Sequence, residues 1–99
     1  MCKVEWTDEA ERDLEDILFF YLEQAGHGVA ESVYSRIREQ VGSLETFSER
    51  ARPGRVLGTR EFVVSRLPYI AIVHVGDDAV TVLNLIHTAR KYPPDHSGT

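Results

Sequence analysis

Cysteine is nearly missing from this sequence: Cys2 stands alone among 99 residues. One thiol closes no intrachain disulfide and builds no cysteine-based zinc knuckle. No apolar run approaches membrane-spanning length, and Met1-Cys2-Lys3-Val4-Glu5 has no leader pattern, so neither a membrane partner nor export is expected. Length is short too. With 42% hydrophobic and 27% charged residues, the chain reads as one cytoplasmic domain over 1–99, without room for a second core.

An excess of positive charge is also lacking. The net charge of -5 argues against a protein that coats nucleic acid by bulk electrostatics. The average conceals an asymmetry, since residues 1–49 sum to -8 and residues 50–99 to +3. Arg50, Arg52, Arg55, Arg60 and Arg66 crowd into 50–66 against Glu61 alone. One part of the domain is acidic and another is arginine-rich.

What is present is strong patterning. Residues 2–6 favour a first strand, with Val4 and Trp6 assigned to different faces. Thr7 or Asp8 supplies an N-cap, Asp8 and Glu11 have capping-box spacing, and the acidic first turn suits the helix dipole. Ala10, Leu14, Ile17, Leu18, Tyr21 and Leu22 then recur at helical spacing, until Gly26-His27-Gly28 breaks the helix. Ala30, Val33, Ile37, Val41 and Leu44 form the stripe of a second helix, with Arg36, Arg38 and Glu39 outward. Ser48–Gly58 lacks a period and reads as a loop. Strands follow at Thr59–Arg66, Tyr69–Val75 and Ala79–His87, with breaks short enough for hairpins. The expected class is α+β: a strand, a helical hairpin and a three-stranded antiparallel meander, with the helices on one face and the first strand at a sheet edge. The polar tail 93–99 is expected to fray.

Several constellations fail. His27, His74, His87 and His96 lack metal-ligand spacing, and no metal or other cofactor is expected. Gly54 and Gly58 make no phosphate loop, because no lysine or helix follows. Tyr21 and Tyr34 read as core edges, and Cys2 has no partner for nucleophilic chemistry.

Four segments, in this order, carry a resemblance. They are Trp6-Thr7-Asp8-Glu9-Ala10-Glu11-Arg12-Asp13-Leu14, then residues 53–64 from Pro53-Gly54-Arg55 to Phe62-Val63-Val64, then Leu67-Pro68-Tyr69, and Val82–Pro93. Together they resemble the RelE/ParE superfamily of bacterial toxins from type II toxin–antitoxin systems. The resemblance implies a growth-inhibiting protein neutralised by a cognate antitoxin. RelE-like members enter the ribosome and cleave mRNA; ParE-like members act on DNA gyrase and lack the nuclease residues.

Cleavage by 2′-hydroxyl attack needs a base, an acid and cations for the phosphorane. The resemblance places lysines, arginines and a C-terminal tyrosine or histidine in those roles. Segment 48–58 has no lysine, and its arginines stay protonated, so they bind phosphate but do not act as bases. An arginine frequent after the third motif's tyrosine is replaced by Ile70. Arg60, Arg66, His87, Arg90 and Tyr92 remain as nuclease candidates, with Arg60, Phe62, Val64 and Arg66 expected on one strand face. The preferred reading keeps His87 as a strand cap and Tyr92 as edge packing. Arg50, Arg52, Arg55, Arg60, Arg90 and Lys91 are then expected to receive an acidic antitoxin segment or the target. The ParE-like branch is favoured, with a ribosome-dependent mRNA endoribonuclease and a non-toxic antitoxin-binding scaffold as alternatives.

Overall fold

The computed structural model describes residues 3–89 and Tyr92; Cys2, Arg90, Lys91 and the tail 93–99 lie outside the described residues. Strand β1 (Lys3–Trp6) leads into helix α1 (Asp8–Ala25), and helix α2 (His27–Gly42) follows directly. Two 3-10 turns, Ser43–Glu45 and Ser48–Arg50, connect to strands β2 (Arg52–Pro53), β3 (Arg60–Val63), β4 (Tyr69–Val75) and β5 (Ala79–His87).

Thr7 starts α1 because its extended backbone turns its hydroxyl back to accept from the Ala10 N–H at 3.0 Å. The same hydroxyl donates to the Leu83 carbonyl at 3.1 Å, so the helix start is tied to β5. The expected Asp8–Glu11 capping box does not form, because Thr7 is the cap and the third helical residue is Ala10. Glu11 reaches Arg38 instead. Gly26 ends α1 with φ of +88°, left-handed backbone that glycine adopts without a Cβ clash. Its carbonyl accepts from Ala30, so the same residue opens α2.

The sheet has five strands in the order β1-β5-β4-β3-β2. Strand β1 takes the edge, parallel to β5 from Lys3 opposite Ala79 to Trp6 opposite Val82. The other pairs are antiparallel, with an irregularity between Ile72 and Val73. Side-chain alternation sends Tyr69, Ala71 and Val73 toward the helices and Ile70 and Ile72 to the opposite face. Under the helices, Leu14, Ile37, Val41, Leu44, Val64, Val80 and Val82 are fully buried. Each such side chain contributes roughly 1.5–3 kcal/mol through removal of apolar surface from water.

The α+β class and the helices on one face match the expectation, with corrections of detail. Val4 and Trp6 both pack on the helix-side core, since residues two apart on a strand share a face. The expected loop 48–58 contains a 3-10 turn and β2, whose Pro53 is tolerated because β2 is an edge strand. Strand β3 stops at Val63 rather than Arg66. Arg66 has φ of +67° inside the turn to β4, so it does not share a strand face with Arg60. Arg38 is not simply outward: it pairs with Glu11 and lies 4.6 Å over the Trp6 ring, joining α2, α1 and β1. Its pKa is raised, because hydrogen bonds to Tyr34 and Glu11 outweigh the opposing effect of desolvation.

Candidate functional site

The arginine-rich segment is organised around one carboxylate. Glu61 on β3 is only 9% exposed, a burial that a lone charge would not tolerate. Arg55 satisfies it: the backbone N–H donates to Oε2 at 2.8 Å, Nε to Oε2 at 3.1 Å and Nη2 to Oε1 at 3.1 Å. Desolvation acts to raise the Glu61 pKa, yet the hydrogen bonds and charge of Arg55, with the charge of Arg52, hold it below the ordinary carboxylate range. Arg55 Nη1 also donates to the Tyr92 carbonyl at 3.4 Å, and its guanidinium lies 5.7 Å from the Tyr92 ring centre.

Tyr92 in turn packs against a small apolar cluster of Ile70, Ile72 and Ile86 on the face opposite the helices. Ile70, where the resemblance leads one to look for arginine, is buried there at 8% exposure. An aliphatic group at that position offers no contact to a phosphate.

The loop beyond Arg55 is closed by its own hydrogen bonds. Gly54 donates to the Thr59 carbonyl at 2.9 Å, and the Thr59 hydroxyl donates to the Val56 carbonyl at 2.7 Å. A Cβ on Gly54 would sit 2.7 Å from Thr59 Oγ1, so the approach requires glycine. Gly58 turns the tip with φ of +86°, and Leu57 beside it is fully exposed.

The remaining candidates are dispersed. Arg50 lies 4.2 Å over the Phe47 ring and touches Ser43. Arg52, on β2, stands opposite Glu61. Arg60 shares the Phe62 side of β3 and reaches the Ala51 carbonyl at 3.4 Å. Arg66 sits beside Gly28, Ser32 and Arg36 at the start of α2. His87 meets Tyr69 edge-to-face at 5.4 Å, on the helix side of the sheet. Its Nδ1 accepts from the Ala89 N–H at 3.0 Å, which places the ring proton of neutral His87 on Nε2. Arg90 and Lys91 lie outside the described residues.

His87 and Tyr92 therefore belong to opposite faces of the sheet, one on Tyr69 and the other on Ile70. Tyr69 is no substitute base, since burial and its contact with the Tyr21 hydroxyl push its pKa far above the usual phenol value. The four nuclease candidates among the described residues, Arg60, Arg66, His87 and Tyr92, are not gathered at one point.

A family model described as the ParE toxin of the type II toxin–antitoxin system parDE matches residues 4–92. The chain belongs to the ParE toxin family. Y4kP of Sinorhizobium fredii, a protein named as a candidate toxin, is 33% identical over 91 residues, covering 92% of this chain and 93% of that protein. The ParDE toxin–antitoxin system of P. aeruginosa supplies a solved chain of TM-score 0.82 and 28% identity, covering 88% of this chain and 96% of the other. A chain of the RelBE2 toxin–antitoxin complex of Mycobacterium tuberculosis shares the fold at TM-score 0.56 and 21% identity, over 90% of this chain and 93% of the other. Membership in the ParE family accounts for the helical hairpin and mixed sheet. Glu61 and Leu57 are what sequence reading overlooked at the site: Glu61 was visible as the one acid amid five arginines, whereas nothing marked Leu57 as exposed.

Proposed function

We propose that this ParE-family toxin is held inactive by a cognate antitoxin and, once released, arrests growth by binding DNA gyrase rather than by cleaving RNA. The observation that carries the reading is the assignment of His87 and Tyr92 to opposite sheet faces, with Ile70 buried in the cluster against which Tyr92 packs. An acid and a base must reach one phosphodiester together, so this dispersal favours binding over hydrolysis. Similarity to a solved chain of the P. aeruginosa ParDE toxin–antitoxin system supports the antitoxin partner.

The arginine edge is the proposed landing surface. Arg55 gives its backbone N–H, Nε and Nη2 to Glu61 and Nη1 to the Tyr92 carbonyl, so it braces the loop rather than receiving a ligand. Arg52 on the edge strand β2 and Arg60 on its neighbour β3, both exposed, with Leu57 at the loop tip, offer charge and an apolar anchor to an acidic, apolar segment. Arg50, Arg90 and Lys91 extend the same proposal along the chain.

The test is brief induction of the chain alone in a bacterium, with pulse-labelling of DNA and protein synthesis. DNA synthesis is expected to fall first, and purified chain is expected to inhibit gyrase supercoiling. Immediate arrest of translation would overturn the reading in favour of the ribosome. No arrest of either would leave an antitoxin-binding scaffold.

A further inference from the structure

The acidic half of the molecule contains a feature that the arginine edge does not explain. A pocket of about 340 Å³ opens between α1 and the end of β5, at the lower end of the roughly 300–1,000 Å³ range of ligand pockets. Its charged lining is Asp13 and Asp16, and its walls include Phe20, Tyr21, Tyr69 and His87. Among the described residues, no lysine or arginine lines it.

We infer that this pocket receives the guanidinium of an arginine side chain presented by a protein partner. Asp13 is held in place: its Oδ2 accepts from the Leu85 N–H at 2.9 Å and from Asn84 Nδ2 at 3.3 Å. Asp16, one turn further along α1, is exposed, lines the pocket and, among the described residues, forms no ion pair, so its carboxylate faces an incoming cation. A guanidinium is planar, so it pairs with a carboxylate through two N–H groups while its face rests on an aromatic ring. The compact ammonium of lysine does only the first of these well. Phe20, 54% exposed at the rim, gives the aliphatic stem an apolar surface to lie on.

Charge complementarity selects the occupant. Residues 1–49 carry a sum of -8, so the field around α1 draws cations and repels the acidic segment proposed for the arginine edge. The two sites therefore suit different parts of a partner. The arginine subsite stands independently of the gyrase reading, since it concerns only what the pocket binds.

Titration of the isotopically labelled chain with N-acetyl-arginine methylamide, followed by NMR, tests the subsite. N-acetyl-citrulline methylamide, neutral and nearly isosteric, is the comparison ligand. Saturable shifts confined to Asp13, Asp16, Phe20, Tyr21 and His87 are expected from the arginine derivative and not from the citrulline one. Asp16→Asn should weaken binding by about threefold or more, whereas Glu15→Gln, with the same net charge on the same helix but outside the pocket, should not. Equal shifts from both ligands, equal effects of the two variants, or shifts that never saturate would overturn the proposal. So would shifts at these residues that depend on the chain's own concentration, because a second copy would then be the occupant. Induction of the Asp16→Asn chain in cells remains a separate measurement, so loss of this subsite and loss of toxicity are told apart.

Discussion

The two faces of the sheet are both apolar but are closed in different ways. On one, α1, α2 and the 3-10 turn after them lay Leu14, Ile37, Val41 and Leu44 over Ala71, Val73, Val80 and Val82, which are all fully buried. On the other, Ile70, Ile72 and Ile86 form a much smaller cluster, with Leu83 and Tyr92 packed against it. A sheet apolar on both sides has no broad surface for charged chemistry. Its polar groups are displaced to the rims, arginines at the β2–β3 edge and carboxylates with aromatics at the end of β5. That placement is what the proposed recognition at two edges requires.

Cavity substitutions test that hierarchy most severely. Ile37→Ala, on the helix side, should cost about 3–4 kcal/mol, within the usual span for deleting a buried isoleucine. Ile72→Ala, on the other face, should cost about 2 kcal/mol, because fewer layers surround the void and the site can relax. Urea denaturation of both variants reads the difference. Equal losses would mean that the two cores are equally well packed and that the comparison fails.

Next in size is the Arg55–Glu61 pair. Glu61→Gln keeps the shape but removes the charge that Arg55 holds, at a cost of about 1–3 kcal/mol near neutral pH. The folded pKa of Glu61 is depressed, so its contribution is present above the unfolded carboxylate value. That contribution is lost as pH falls through the folded one. The gap between parent and variant should thus be constant around pH 7 and shrink below about pH 4. A gap that widens in acid would contradict the direction of the shift. Tyr92 is the smaller partner: Tyr92→Phe should preserve stability, and Tyr92→Ala should lose on the order of 1 kcal/mol as the ring leaves Arg55 and the isoleucines.

Much of this fold was legible in the sequence where a single period governed a segment. The stripe of Ala10, Leu14 and Ile17 and that of Ala30, Val33, Ile37 and Val41 are buried as their spacing predicts. Strands β4 and β5 have the expected bounds, because apolar runs flanked by Pro68 and Gly76 leave little choice. The candidate site was less legible, since it depends on which distant residues meet. Alternation alone extended β3 to Arg66, whereas the turn needed a left-handed residue there. Glu61 sits between Arg60 and Phe62 and reads as a solvent-facing charge until Arg55 folds back over it from six residues upstream. The pocket is harder still, because Asp13, Tyr69 and His87 come together only through the packing of α1 on β5.

The finest comparison is between two exposed arginines, Arg60 on the β2–β3 edge and Arg12 on the acidic helix. Neither forms an ion pair within the described residues, so alanine at either position should leave the melting temperature close to that of the parent. Stability is thereby removed as a confounding factor. If the arginine edge is where a partner lands, Arg60→Ala should weaken antitoxin capture or growth arrest, and Arg12→Ala should weaken neither. Antitoxin affinity, measured by titration against a co-purified antitoxin, resolves the two. A loss at Arg60 that fades as salt is raised for both chains would identify its role as long-range charge attraction, whereas a loss that persists in high salt would place Arg60 in direct, desolvated contact. Equal behaviour of the two variants would remove the edge as a landing surface and return attention to Leu57 at the loop tip.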